Sequence, residues 1–367
     1  MKKLLAIAYL VIVLLLFFFS VRQGLPCSTF VLRSGERFVL GHNLDFYTGM
    51  GFVVVNKRHV KKVALLYPGE IPVKWVSKYG SITFNQLGKE FPFGGMNEKG
   101  LVVEQMWLEE SQYPPADGRP ALMELQWIQY QFDNCATVDE VIASDKAIRI
   151  SQNQSTIHYL VCDRSGKVAS IEFIGGKFVC HTDGTIPAEV LTNSTYDKSF
   201  EYLKEMENNG GEMAPGKFNE SMDRFARLAK ALKEYKTKQH MPMVDYAFDA
   251  LSSVSVESET HATQWSIVYN PQKRNIIFRT HKNAKQRTLR IKDFDYSCSS
   301  PTEVLNIEQK LEGDVSGHFV EYRTDMNRAL IKAAFGHYKS VGFMKDMPEF
   351  IMDIMATYPE SMKCNNK

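Results

Sequence analysis

Cys27 has the most chemistry open to it of any residue in this chain, because of what stands before it. Lys2-Lys3 precede an unbroken apolar run of 16 residues, Leu4 to Phe19, and the polar stretch Ser20 to Gly24 follows. That order is the pattern of an export signal. Removal of residues 1–26 would leave Cys27 first, with a thiol and a free α-amine on one residue. The amine, with an ordinary pKa of about 7.7–8.0, is a base near neutrality. The thiolate is the effective nucleophile. Base and nucleophile are then covalently adjacent, and no separate histidine is needed. Two other readings stay open at this point. The apolar run is short of the ~20 residues of a spanning helix, but an uncleaved anchor is the alternative, and the Lys pair leaves the rest of the chain outside the cytoplasm either way. A cysteine at such a junction is also a lipidation candidate, although Gly24-Leu25-Pro26 lacks the small residue expected just before it.

The other five cysteines, at 135, 162, 180, 298 and 364, form no C-x-x-C pair, no Cys/His metal spacing and no dense framework. Neither zinc nor a disulfide scaffold is signalled. Cys162 and Cys180 lie in strand-like apolar runs and read as buried hydrophobes. No H-E-x-x-H and no G-x-S-x-G occurs, so metalloprotease and serine-hydrolase chemistries have no motif to rest on. No cofactor is expected. The formal charge of +2 over 367 residues becomes −1 without residues 1–26, which carry three basic groups and no acidic one. Such a near-neutral chain argues against nucleic acid or an anionic membrane surface as the main partner.

The elements that must position Cys27 read first as strands. Ser28 to Leu32, Arg37 to Leu40, Phe52 to Asn56 and Lys62 to Leu66 are short apolar or β-branched runs between turn residues. Gly95 to Gly100 reads as a hairpin turn before a strand from Leu101 to Trp107. Ala121, Leu125, Ile128 and Phe132 carry a helical period, and Thr137 to Glu140 opens a second helix with a capping box. Strands return at Thr156 to Cys162, Val168 to Phe173 and Lys177 to Cys180, with a short apolar piece at Glu189 to Thr192. Tyr196 to Met206 and the stripe Phe225, Leu228, Leu232 are helical. Ser266 to Tyr269 and Asn275 to Phe278 form a hairpin, and Met326 to Tyr358 reads as two helices. With no repeat and no low-complexity linker, one intertwined α+β domain over residues 27–325 is expected, followed by a helical tail over 326–367.

Taken alone, Asp45 reads as a turn or cap residue, Asn193 as a turn former, Arg224 as a solvated helix charge, Trp107 as a core aromatic and His42 as a structural or surface histidine. Read together, several segments are more specific. Cys27-Ser28-Thr29-Phe30, Gly41-His42-Asn43-Leu44-Asp45, Trp75 to Gly80, Gly95 to Leu101 with Trp107-Leu108, Leu191 to Ser194 and Asp223-Arg224-Phe225 resemble the choloylglycine hydrolase and penicillin V acylase family, in its order and at similar intervals. The resemblance extends through Ala262 to Trp265 and Ser316 to Phe319, and is closest to the penicillin V acylase branch. It implies a four-layer αββα N-terminal-nucleophile hydrolase fold, autocatalytic exposure of Cys27, and hydrolysis of linear amides through a thioester. By the same resemblance Asp45 orients the freed amine, Asn193 donates to the oxyanion with a backbone N–H near Trp107, and Arg224 supplies positive charge. Trp107 and Phe46 would line the substrate pocket.

Two departures follow from the comparison. His42 stands where the family usually has Arg, so its activating charge exists only while it is protonated. Trp107 stands where bile-salt hydrolases tend to have Asn, and an indole suits an aromatic or acyl tail. The expected substrate is therefore a small N-acyl amide: a penicillin V-like compound, an N-acyl homoserine lactone or a conjugated bile salt. The expected location is periplasmic or secreted. Family members are commonly homotetramers, and no residue pattern here marks an assembly surface. The rival reading is a non-catalytic envelope or membrane-anchored acyl-binding protein on the same fold, in which Cys27 is never freed. Sequons at Asn153, Asn193 and Asn219 read as chance, since a glycan on Asn193 would destroy the expected oxyanion site.

Overall fold

A computed structural model describes residues 25–151, 155–208, 220–235, 241–344 and 346–365. Residues 1–24 of the expected export segment, and Asn153 and Asn219, lie outside them. The first strands are Ser28–Ser34 (β1), Arg37–Phe46 (β2), Phe52–Asn56 (β3), Ser81–Asn85 (β4), Gly94–Asn97 (β5) and Val102–Trp107 (β6). Ile157–Cys162 (β7), Val168–Ile174 (β8) and Lys177–Thr182 (β9) follow, then Ala262–Asn270 (β10), Asn275–Thr280 (β11), Asn283–Arg290 (β12) and Glu303–Asn306 (β13). The helices are Glu124–Asn134 (α1), Val138–Ser144 (α2), Tyr196–Asn208 (α3), Ser221–Tyr235 (α4), Met243–Ser253 (α5), Thr324–Ser340 (α6) and Glu349–Thr357 (α7).

The strands build two large sheets. One has seven strands, in the order Val190–Leu191, β1, β2, β10, β11, β12, Gly313–Asp314. The other has nine, in the order β9, β8, β7, β6, β5, β4, β3, β13, Val320–Glu321. Aromatic rings close the space between them. Phe84 of β4 lies 6.2 Å from Trp265, 6.3 Å from Tyr269 and 5.5 Å from Phe278 on the facing sheet, centroid to centroid. Helices α4 and α5 cover the outer face of the seven-stranded sheet, and α1 covers the nine-stranded one. The layers are therefore αββα, an α+β architecture. Being covered on both faces, β2 is buried from Phe38 to Asp45, which a half-exposed strand with alternating polarity could not be.

Several segments differ from what their sequence pattern predicts. Ala121 and Leu122 do not begin α1; their backbone pairs with Ile71, Val73 and Arg149 to Ser151, and the helix starts at Glu124. Nothing in the hydrophobic period singles out α5 or β12. Cys162 is buried as expected, but Cys180 is only partly so. The predicted boundary at residue 325 falls inside the first turn of α6, which starts at Thr324. That helix buries Ile331, Ala334, Phe335 and Tyr338 in the main core.

Cys298 and Cys364 are bonded to each other, a pairing their spacing did not signal. The returning tail makes it, where Lys363–Cys364 pairs with Val60–Val63. A loop of 66 residues constrained in the unfolded chain gives about 4 kcal/mol on the chain-entropy model. Cys298→Ser with Cys364→Ser is expected to lower the denaturant midpoint accordingly, and an unchanged midpoint would show that the bond contributes nothing.

Candidate active site

Cys27 stands at the start of β1, beside the end of β2 that carries Asp45. The thiol Sγ lies 3.9 Å from the Asp45 backbone oxygen, and Cys27 is buried, as are Asp45 and Arg224. Cys27 is joined to Pro26, so its nitrogen is a peptide N–H. That N–H donates to Asn193 Oδ1 at 2.7 Å.

Asn193 is the hub. Its Oδ1 also accepts from Arg224 Nη2 at 2.8 Å, and its Nδ2 donates to the Trp107 carbonyl at 2.8 Å. Two donors on one side and a carbonyl on the other fix which end of the amide is which. Its backbone N–H donates to Ser221 Oγ at 2.8 Å, which ties it to the first residue of α4. Behind it, the Thr192 carbonyl lies 2.6 Å from His158 Nε2, and His158 Nδ1 lies 2.9 Å from Glu172. His158, Glu172 and Ser221 had no individual signal in the sequence, because each is an ordinary polar residue until the fold stacks it behind Asn193.

Arg224 is 1% exposed, not the solvated helix charge that its residue type suggests. One helical turn into α4, its Nη1 donates to the Cys27 carbonyl at 2.5 Å and to Ser28 Oγ at 2.6 Å. The guanidinium thus clamps the backbone that carries the Cys27 thiol. Asp45 Oδ1 accepts from Thr263 Oγ1, and its Oδ2 has no partner among the described residues. The backbone N–H of Leu108, next to Trp107, donates to the Thr156 carbonyl at 2.9 Å, so it is already engaged.

His42 differs from the expected activating cation. It lies in the space between the sheets with Nε2 3.3 Å from Glu104, and burial pulls its pKa down to about 3. A neutral imidazole adds no positive charge. Glu104 is held well above the usual carboxylate range by the same burial. Phe46 and Trp107 line one cavity with Cys27. Trp107 also lines a wider outer cavity of about 780 Å³ with Asn193, Arg224, Tyr47 and His261. Leu25, two residues before Cys27, lines both.

Burial is also the main influence on the titrating groups. It pushes the Cys27 thiol up to about 12, with Asp45 adding to the effect and Arg224 opposing it. With Pro26 attached the thiol is therefore protonated and weakly nucleophilic. Burial raises Asp45 from 3.8 to about 7, against the pull of Arg224 and Thr263. Between those two values the folded chain keeps a proton that the unfolded chain has lost, so this group weakens folding progressively as pH rises through that window. Asp45→Asn is expected to raise the thermal midpoint near ~pH 8 and to lose that advantage below ~pH 4. Equal midpoint shifts at both pH values would contradict the burial of an ionisable Asp45.

Two facing sheets flanked by helices, with a cysteine at the head of the central hairpin, define an N-terminal-nucleophile hydrolase fold. Residues 27–303 match the linear amide C–N hydrolases, choloylglycine hydrolase family, and the chain belongs to that family. Penicillin V acylase from Pectobacterium atrosepticum is 33% identical over 220 residues, a match covering 55% of this chain and 57% of that protein. The chain thus spans a little over half the length of this curated relative. The solved structure of penicillin V acylase from Agrobacterium tumefaciens superposes with a TM-score of 0.69 at 25% identity, over 81% of this chain and 98% of that one. A single-residue variant of conjugated bile acid hydrolase from Clostridium perfringens gives 0.65 at 18% identity, over 78% and 98%, which is a likeness of fold alone. Among the described residues no cluster of His, Cys, Asp or Glu could hold a metal ion.

Proposed function

We propose that this protein hydrolyses a linear amide bond in a small N-acyl substrate, with Cys27 as an N-terminal nucleophile once residues 1–26 are gone. The observation that carries the reading is the Asn193 side chain, which bonds Cys27 N, Arg224 and the Trp107 carbonyl together at the edge of a cavity. Four distant segments of chain, those of Cys27, Trp107, Asn193 and Arg224, meet there.

Cleavage of the Pro26–Cys27 bond would turn the peptide N–H into an amine facing Asn193. The free Oδ2 of Asp45 suits the ammonium form of that amine. In the reaction the amine takes the proton from Sγ, and the thiolate attacks the acyl carbonyl. The second Nδ2 hydrogen of Asn193 supports the oxyanion, and the ammonium gives its proton to the departing amine. Water, deprotonated by the same amine, then splits the thioester and releases the acid. Arg224 holds the Cys27 carbonyl throughout, so the nucleophile is not free to rotate away.

The export reading and a periplasmic or secreted location are supported by the Cys298–Cys364 bond, which belongs to an oxidising compartment. Penicillin V-like compounds and N-acyl homoserine lactones are preferred as substrates over conjugated bile salts. The aromatic lining by Trp107 and Phe46 supports this. The test is a panel of the three substrate types on mature protein, followed by release of free amine, with acid-quenched samples examined for an acyl mass on the Cys27 peptide. Turnover accompanied by that adduct is the expected result. No turnover of any of the three, or turnover without the adduct, would overturn the reading.

A further inference from the structure

The family match ends at residue 303, yet a wall of the cavity beside Cys27 comes from beyond it. This inner cavity, about 70 Å³, has Phe46 and Phe93 on the core side and Phe335, Tyr338, Phe343 and Met344 on the tail side. The tail reaches it through a specific turn. Helix α6 ends at Ser340, and Gly342 takes the left-handed conformation at φ 74°. The Phe343 N–H donates to the Tyr338 carbonyl at 2.9 Å and the Gly342 N–H to Lys339 at 3.0 Å, a Schellman-type ending. The chain is thereby folded back, and the Phe343 ring lands 5.6 Å from Phe46 and 4.5 Å from Tyr47.

The helix that delivers this turn is itself fixed. His337 Nε2 lies 2.8 Å from the Tyr47 carbonyl, and the Tyr338 hydroxyl donates to Gln86 at 2.5 Å. Tyr47 directly follows Phe46, so the tail grips the chain at the strand end that carries Asp45. Phe46, Tyr338 and Phe343 meet one another edge to face, and the three rings stand together in the cavity wall. The size is far below the ~300–1,000 Å³ of sites that enclose drug-sized ligands. Leu25, 3% exposed, lines this cavity and the outer one, so the room that its departure adds to the inner cavity is that of a leucine-sized group.

We propose that Phe343 and Met344 close the acyl-binding slot and set the largest acyl group this protein accepts: a single aromatic ring or a short branched chain, with long alkyl and fused-ring acyl groups excluded. This rests on the acylase reading above. The specificity of this chain is then set by a segment beyond the matched residues 27–303.

The test uses full-length mature protein, wild type, Phe343→Ala and the milder Phe343→Leu. The substrates are amides of one amine with acyl groups from butyryl to dodecanoyl. The wild type is expected to lose kcat/KM steeply along the series. In Phe343→Ala the ratio of dodecanoyl to butyryl kcat/KM is expected to rise about tenfold or more, a difference of a few methylenes in an apolar pocket, with Phe343→Leu between. An unchanged ratio in both variants would overturn the proposal. If the wild type cleaves no member, the acylase reading is judged by the three-substrate panel above and the slot by calorimetry of the free carboxylic acids on the same proteins. A shift of the tightest-binding acid to longer chains in Phe343→Ala supports the slot, and identical profiles overturn it.

Discussion

Cys27→Ala is expected to abolish turnover, lowering kcat on the order of 10⁴-fold or more, as the loss of other acyl-transfer nucleophiles does. Cys27→Ser is expected to fall nearly as far. A serine hydroxyl is a much weaker nucleophile than a thiolate, and nothing at the site beyond the α-amine would deprotonate it. Neither change should unfold the chain. The thiol makes one weak contact, 3.9 Å to the Asp45 backbone oxygen, and removing one buried sulfur leaves a small cavity worth about 1 kcal/mol. Thermal midpoints close to wild type, together with lost activity, therefore assign the loss to chemistry. Full activity in either variant would end the nucleophile assignment. Cys27→Ala is further expected to keep residues immediately upstream, because the exposure step needs the same sulfur.

Asn193→Ala is the second large effect. One positioned oxyanion donor contributes roughly 2.7–4 kcal/mol to the barrier, so kcat should drop 10²–10³-fold with little change in KM. The geometry adds a second consequence. Arg224 Nη2 and the Cys27 N–H would both lose the oxygen they now share, and a buried donor without a partner costs about 1–3 kcal/mol. Both activity and stability should fall, unlike in the Cys27 variants. Asn193→Asp separates the two effects. It restores an acceptor for Arg224 and so recovers stability, but it offers no N–H to an oxyanion and leaves kcat low. Recovery of kcat in Asn193→Asp would contradict the donor role.

The hairpin of β1 and β2, the strands around Trp107 and the helices α3 and α4 were legible because their apolar periods are long and their turns carry Gly, Asn or Asp. The convergence of Cys27, Asp45, Asn193 and Arg224 was legible only as a set of segments in a familiar order. Asp45 and Arg224 are each ordinary in isolation, and their burial is a tertiary fact. His42 shows the limit most clearly. Its type suggests a switchable charge, but β2 is covered on both faces and aims the imidazole at Glu104 between the sheets, where burial keeps it neutral. The tail was legible as two helices but not as a pocket wall. The contact between Phe343 and Phe46 spans nearly 300 residues, and the turn at Gly342 that makes it leaves no periodic trace. The Cys298–Cys364 bond was hidden for the same reason, since the strand at Lys363–Cys364 is only two residues long.

In the proposed mechanism thiol and free amine belong to one terminal residue, which intact-mass measurement of exported, active protein can decide. A chain starting at Cys27, with activity appearing in proportion to that species, is the expected result. Fully active protein that still carries Pro26, or any residue before it, would contradict the account.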